Sequence, residues 1–162
     1  MKTNTLASVA TFVFLFLINS SFTLVAQELE QWTWDDYYIK FKAPSDLELS
    51  QNDSEGFSGS NSKISLSIYP MTDNEMSYSE LKTALLEWVI DNDMTNRTDP
   101  EYLSDLNGYW GCYTEGNSSG FPVFAMLIVD PDFPDITHYV WISYSADYEE
   151  TAAEILLSFT PI

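Results

Sequence analysis

The nine residues FPVFAMLIV, Phe121 to Val129, constrain the fold more than any other stretch of the chain. Side chains of a strand alternate between faces, so Val123, Ala125, Leu127 and Val129 point one way and Phe124, Met126 and Ile128 the other. Both sets are apolar, and a strand of that kind has to be covered on both sides. An open sheet with one solvated face is thereby excluded. YLSDLNGYWGCYTEG before this segment and ITHYVWISYSA after it alternate as further strands, joined to it around residues 116–120 and 131–134. Connections that short predict antiparallel pairing.

Helical patterns supply the covers. Leu81, Ala84, Leu85, Trp88 and Val89 repeat at helical spacing, with Ser77 and Glu80 placed as a capping box and Met76 placed to staple against Leu81. The polar run DNDMTNRTDPE with Pro100 ends that helix. Ala152, Ile155, Leu156 and Phe159 form the stripe of a second, short helix, with Asp147 and Glu150 as its capping pair and Pro161 beyond its end. Upstream, WTWDDYYIKFKAP sets Tyr37, Ile39 and Phe41 against Tyr38, Lys40 and Lys42 as a strand stopped by Pro44, and KISLSIYPM alternates as another. Between them, SDLELSQNDSEGFSGSNS reads as a connection with at most a short strand at Leu47 to Leu49. The fold class expected is α+β, a mainly antiparallel sheet packed between helices.

The amino terminus, MKTNTLASVATFVFLFLINSSFTLVAQ, combines one positive charge at Lys2, an apolar run from Val13 to Ile18, and Leu24-Val25-Ala26 before Gln27. That is the pattern of a secretory signal peptide cleaved after Ala26. Its apolar run falls short of the ~20 residues a spanning helix needs. The organisation expected is therefore a signal peptide over 1–26, a lead-in over 27–36 and one domain over 37–162, exported to the periplasm or the extracellular medium. Cys112 is the single cysteine, so no intramolecular disulfide can form even in an oxidising compartment, and a buried, inert thiol is the expectation.

With 25 acidic residues against 6 basic ones and a formal charge of −19, the chain would be repelled by nucleic-acid phosphates and anionic lipid heads. Neither nucleic acid nor a membrane is an expected partner. Three constellations invite a catalytic or metal reading; none completes its motif, and a weak calcium site in one of the acidic loops is left open. GNSSG, residues 116–120, fits a nucleophile elbow at Ser118, with Asp130, Asp132 or Asp135 and then His138 following in hydrolase order. An elbow needs a strand running into a helix, whereas this turn leads into another strand. His138 and Cys112, the only residues of their types, fall on different strands, which is too few ligands for zinc. Asp91, Asp93 and Asp99 open like a calcium loop, but Asn96 stands where glycine belongs and Tyr102 where glutamate belongs. No catalytic, metal or cofactor-binding residue is assigned. His138 shares a strand face with Ile136, Val140, Ile142 and Tyr144 and is expected to pack, behind a DPDFPD turn. Trp32 and Trp34, ahead of the first strand, are the candidates for an exposed recognition surface.

Four phrases in this order, YYIKFKAPSDLEL, SYSELKTALLEWV, LNGYWGCYTE and AAEILLSFTPI, resemble the PsbP-like fold group over residues 37–162. The resemblance implies an α/β/α sandwich with a binding or assembly role and no cofactor, and it transfers no site residue. Two function classes follow. One is a non-catalytic exported domain that binds an unidentified protein or small ligand. The other is a hydrolase working through carboxylates, which would show as two facing carboxylates in a pocket with a strongly shifted pKa.

Overall fold

β8 (Phe121–Val129) lies inside a seven-stranded antiparallel sheet, as its two apolar faces require. The order across that sheet is β3 (Glu48–Asp53), β4 (Gly56–Ser60), β5 (Ile64–Met71), β9 (Thr137–Tyr144), β8, β7 (Tyr109–Ser118) and β6 (Glu101–Leu106). The structure is a computed structural model and describes residues 27–72 and 75–162. The signal segment expected over 1–26 lies outside them.

One sheet face packs on α1 (Leu81–Asp91), where Val123, Ala125, Leu127 and Val129 form one buried cluster with Leu81, Leu85 and Val89. The opposite face, with Phe124, Met126 and Ile128, packs on a layer made of α2 (Glu149–Leu156) and a small antiparallel sheet. That sheet holds β1 (Leu29–Trp34), β2 (Ile39–Pro44) and β10 (Thr160–Pro161), with β2 central. The α+β class expected from the sequence is the one observed. Cys112 is buried and free, and burial pushes its thiol up to about 12, so it is inert at neutral pH.

Four local readings need correction. Residues 27–36 are no lead-in: β1 pairs with β2 from Leu29 opposite Pro44 to Trp34 opposite Ile39. Hydrogen bonds to a neighbour strand satisfy a backbone whose own sequence alternates poorly. The strand expected from Tyr37 begins at Ile39, because residues Asp35–Tyr37 form a 3-10 turn that Tyr38 ends at φ 53. The connection at 45–62 is the β3–β4 hairpin. Its signal is hidden because only Phe57 is large and fully buried there, while Gly59 leaves the space that Leu47 fills; a Cβ at Gly59 would sit 2.7 Å from Leu47 Cδ2. YLSDLNGYWGCYTEG is two strands joined by Asn107 (φ 50) and Gly108 (φ 106), the positive-φ pair of a two-residue hairpin.

Both capping predictions also change. The Glu80 carboxylate accepts the Ser77 N–H at 3.0 Å, but the Ser77 hydroxyl donates to that carboxylate instead of accepting a helix N–H, and α1 starts at Leu81. No side chain caps α2; a 3-10 turn, Ala146–Tyr148, runs directly into it. Ala152, Ile155 and Leu156 of α2 are buried as expected; Phe159 is buried too but lies beyond the helix, which ends at Leu156, in a stretch tied down by Asn107, whose Nδ2 donates to the carbonyls of Leu157 (3.2 Å) and Phe159 (3.0 Å).

Candidate functional site

The segment Trp34 to Ile39 shapes one wall of a cavity. Trp34 is fully buried, and its indole N–H donates to the Asp53 carbonyl at 3.0 Å; Tyr37 donates its hydroxyl to the Ser54 carbonyl at 2.8 Å. The tip of the β3–β4 hairpin therefore clamps both rings. Tyr38, held left-handed between the Asp35 carbonyl and the Ile162 N–H, turns outward and is 69% exposed. A left-handed conformation costs a bulky residue roughly 1–3 kcal/mol, so the surrounding bonds have to impose it.

The facing wall is the β8–β9 loop. Asp130 Oδ1 accepts the Asp132 N–H at 2.9 Å, the Phe133 N–H donates to the Asp130 carbonyl, and the Ile136 N–H to that of Phe133. This is the turn chemistry the prolines and aspartates imply, and it leaves Phe133 61% exposed. Tyr109, directly after the Asn107–Gly108 turn, and Pro161 with Ile162 close the sides. The cavity, open to solvent on one side, has a volume of about 430 Å³, within the range of small-molecule sites. Burial, reinforced by the charge of Asp130, pushes the Tyr109 phenol well above its ordinary range.

His138 lines the same cavity and is 4% exposed. It shares its strand face with Val140, Ile142 and Tyr144, as the alternation predicts, and meets Trp34 (5.9 Å) and Tyr37 (5.1 Å) edge to face. Neither ring nitrogen has a hydrogen-bond partner among the described residues, and both are closed to solvent. Burial pushes its pKa down to about 4. With both nitrogens closed, what the ring contributes to the cavity is a wall.

The other sequence candidates separate in space. Ser118 pairs opposite Phe121 and His138 opposite Ile128, so at about 3.3 Å per residue along β8 they lie at opposite ends of the strand, roughly 23 Å apart. Ser118 also runs through Ser119 and Gly120 into β8, not into a helix. Among the described residues no three His, Cys, Asp or Glu side chains converge as metal ligands. Trp34 is corrected outright: its ring is core and presents nothing to solvent. Trp32 is half-buried, edge-on to Phe57 at 6.1 Å. Sequence reading missed the residues that do line the cavity, among them Tyr37, Tyr38, Tyr109 and Phe133. One signal was available: Phe133 is a large ring in a turn of aspartates and prolines, with no period that could bury it.

No protein-family model matches the chain, and no curated protein matches it. Solved structures do. The Ran-binding protein Mog1p of Saccharomyces cerevisiae superposes with a TM-score of 0.54 at 10% identity, covering 83% of this chain and 95% of that one. A Bacteroides thetaiotaomicron protein gives 0.47 at 10% identity, over 84% of this chain and 48% of its own. LpqN of Mycobacterium tuberculosis, involved in cell envelope biogenesis, gives 0.41 at 14% identity, over 82% and 90%. The first likeness places the chain in the Mog1/PsbP-like fold; the other two are too distant to carry an argument. Among the described residues no helix is long and apolar enough to cross a membrane.

Proposed function

We propose that this chain is an exported, non-catalytic binding domain whose ligand site is the cavity between Tyr38, Phe133 and His138. One observation carries the reading. Tyr38, Phe133 and Ile162, each more than half exposed, all line the cavity of about 430 Å³. Large apolar side chains gathered around a concave site mark a binding surface, whereas scattered ones do not. The fold neighbour Mog1p is a Ran-binding protein, so binding has a precedent on this scaffold. The alternative, a hydrolase working through carboxylates, would have to use Asp36 and Asp130, the two carboxylates of the lining, since the nitrogens of His138 are closed.

Thermal-shift screening of a small-molecule library tests the site. Hits should stabilise the wild type, weaken in Phe133→Ala, and vanish in Ile136→Trp, which fills the cavity. Phe133 is exposed, so its truncation leaves folding intact. Hits that survive both substitutions would place binding elsewhere and contradict the proposal.

Export rests on the signal pattern over 1–26. Intact-mass measurement of the secreted protein should begin at Gln27. A soluble product retaining Met1 would refute it.

A further inference from the structure

We propose that the cavity selects an organic cation, an alkylated ammonium group carried on an apolar body. This rests on the cavity being the ligand site. Its lining combines Tyr37, Tyr38, Tyr109 and Phe133 with Asp36 and Asp130, and among the described residues no lysine or arginine lines it. The face of an aromatic ring is electron-rich and attracts a cation lying within about 6 Å of its centre; a cage of several rings multiplies that attraction. Alkylated ammonium groups suit such a cage because they surrender little hydration on entering it.

The two aspartates, Asp36 exposed and Asp130 half-buried, add negative charge to the lining, and salt screens that part of the attraction. The bond from the Asp132 N–H fixes the Asp130 carboxylate in its turn. His138 contributes no opposing charge at neutral pH, since burial keeps it neutral down to about 4. An anionic ligand would face both aspartates and a chain with a formal charge of −19. An uncharged apolar ligand would fill the volume and gain nothing from the carboxylates. A bare metal ion would use the two carboxylates with water completing its shell, and would leave the four rings without a role.

Three probes of one shape separate these cases: choline, 3,3-dimethylbutan-1-ol, in which carbon replaces the ammonium nitrogen, and 3,3-dimethylbutanoate. NMR titration of the isotope-labelled secreted protein reads affinity and place together. Choline should move the resonances of Tyr109, Ile136 and His138 and bind about tenfold more tightly than the neutral alcohol. The carboxylate should leave them unmoved. In the double variant Asp36→Asn, Asp130→Asn, choline's advantage over the alcohol should shrink severalfold without vanishing, because the rings remain. Both positions reach solvent, and asparagine keeps an oxygen to accept the Asp132 N–H, so the variant should fold. If the alcohol equals choline at these same resonances, cation selectivity is overturned while the ligand site stands. If choline moves only residues remote from the cavity, or none, the inference is overturned, and the thermal-shift screen decides separately whether the cavity binds anything.

Discussion

Phe159→Ala should lower the unfolding free energy by about 3–5 kcal/mol, a large share of the roughly 5–15 kcal/mol that holds a domain together. The ring is fully buried and stacked on Phe41 at 5.2 Å, and Phe41 in turn meets Phe57 edge to face at 5.0 Å. Three chain segments, β2, β4 and the stretch between α2 and β10, thus share one aromatic stack. Alanine would leave a void that β2 and α2 cannot both close, and the small sheet that carries the cavity wall would loosen with it. Glu154→Ala, on the outer side of α2, loses only an ion pair to Lys42 at 3.0 Å whose side chains are both about half exposed. Such pairs contribute at most about 1 kcal/mol, and solvent screening reduces that further. Denaturant melts of the two variants side by side should differ by several kcal/mol. Equally small effects would mean that α2 does not pack where the structure puts it.

The second large effect is an acid-side loss of stability set by His138. In the unfolded chain this ring titrates near its ordinary 6.5, and in the folded protein near 4, because burial without a hydrogen-bond partner disfavours the charged form. Between those values the unfolded state binds more protons, so stability falls as pH falls. Above about 6.5 the contribution is intact; by about pH 4 the loss approaches roughly 3 kcal/mol, at about 1.4 kcal/mol per unit. Carboxylates titrate in the lower part of the same window, so the comparison is with His138→Phe, which keeps a ring against Trp34 and Tyr37 and removes the proton. The difference between the two melts should be flat above pH 6.5 and should grow below it. Because the chain has a single histidine, its Cε1–H resonance can be titrated without assignment ambiguity. A midpoint near 6.5 in the folded protein would contradict the burial on which this rests.

How far the molecule could be read beforehand depended on where its information lies. β8 was legible because its two apolar faces leave one solution, and the stripes Leu81–Leu85–Val89 and Ala152–Ile155–Leu156 because helical spacing repeats within a few residues. The β3–β4 hairpin was not, since its pattern rests on Phe57 and on glycines whose purpose appears only when Leu47 lies across them. β1 looked like a fraying end because strand pairing to β2 is a long-range fact that its own composition does not announce. The cavity was least visible of all. Asp36 to Tyr38, Tyr109, Asp130 to His138 and Pro161 to Ile162 come from four separate parts of the chain, and no spacing rule links them. What could be read locally, that His138 packs and that DPDFPD is a turn, held. The significance of both came from the segments that fold over them.

The most direct measurement is a crystal structure of the protein with a hit from the thermal screen. The account predicts the compound between Tyr38 and Phe133, with His138 behind it and Asp36 and Asp130 beside it. Clear density for the compound on another surface, with the Tyr37, Tyr38 and Phe133 rings collapsed together over His138, would contradict it.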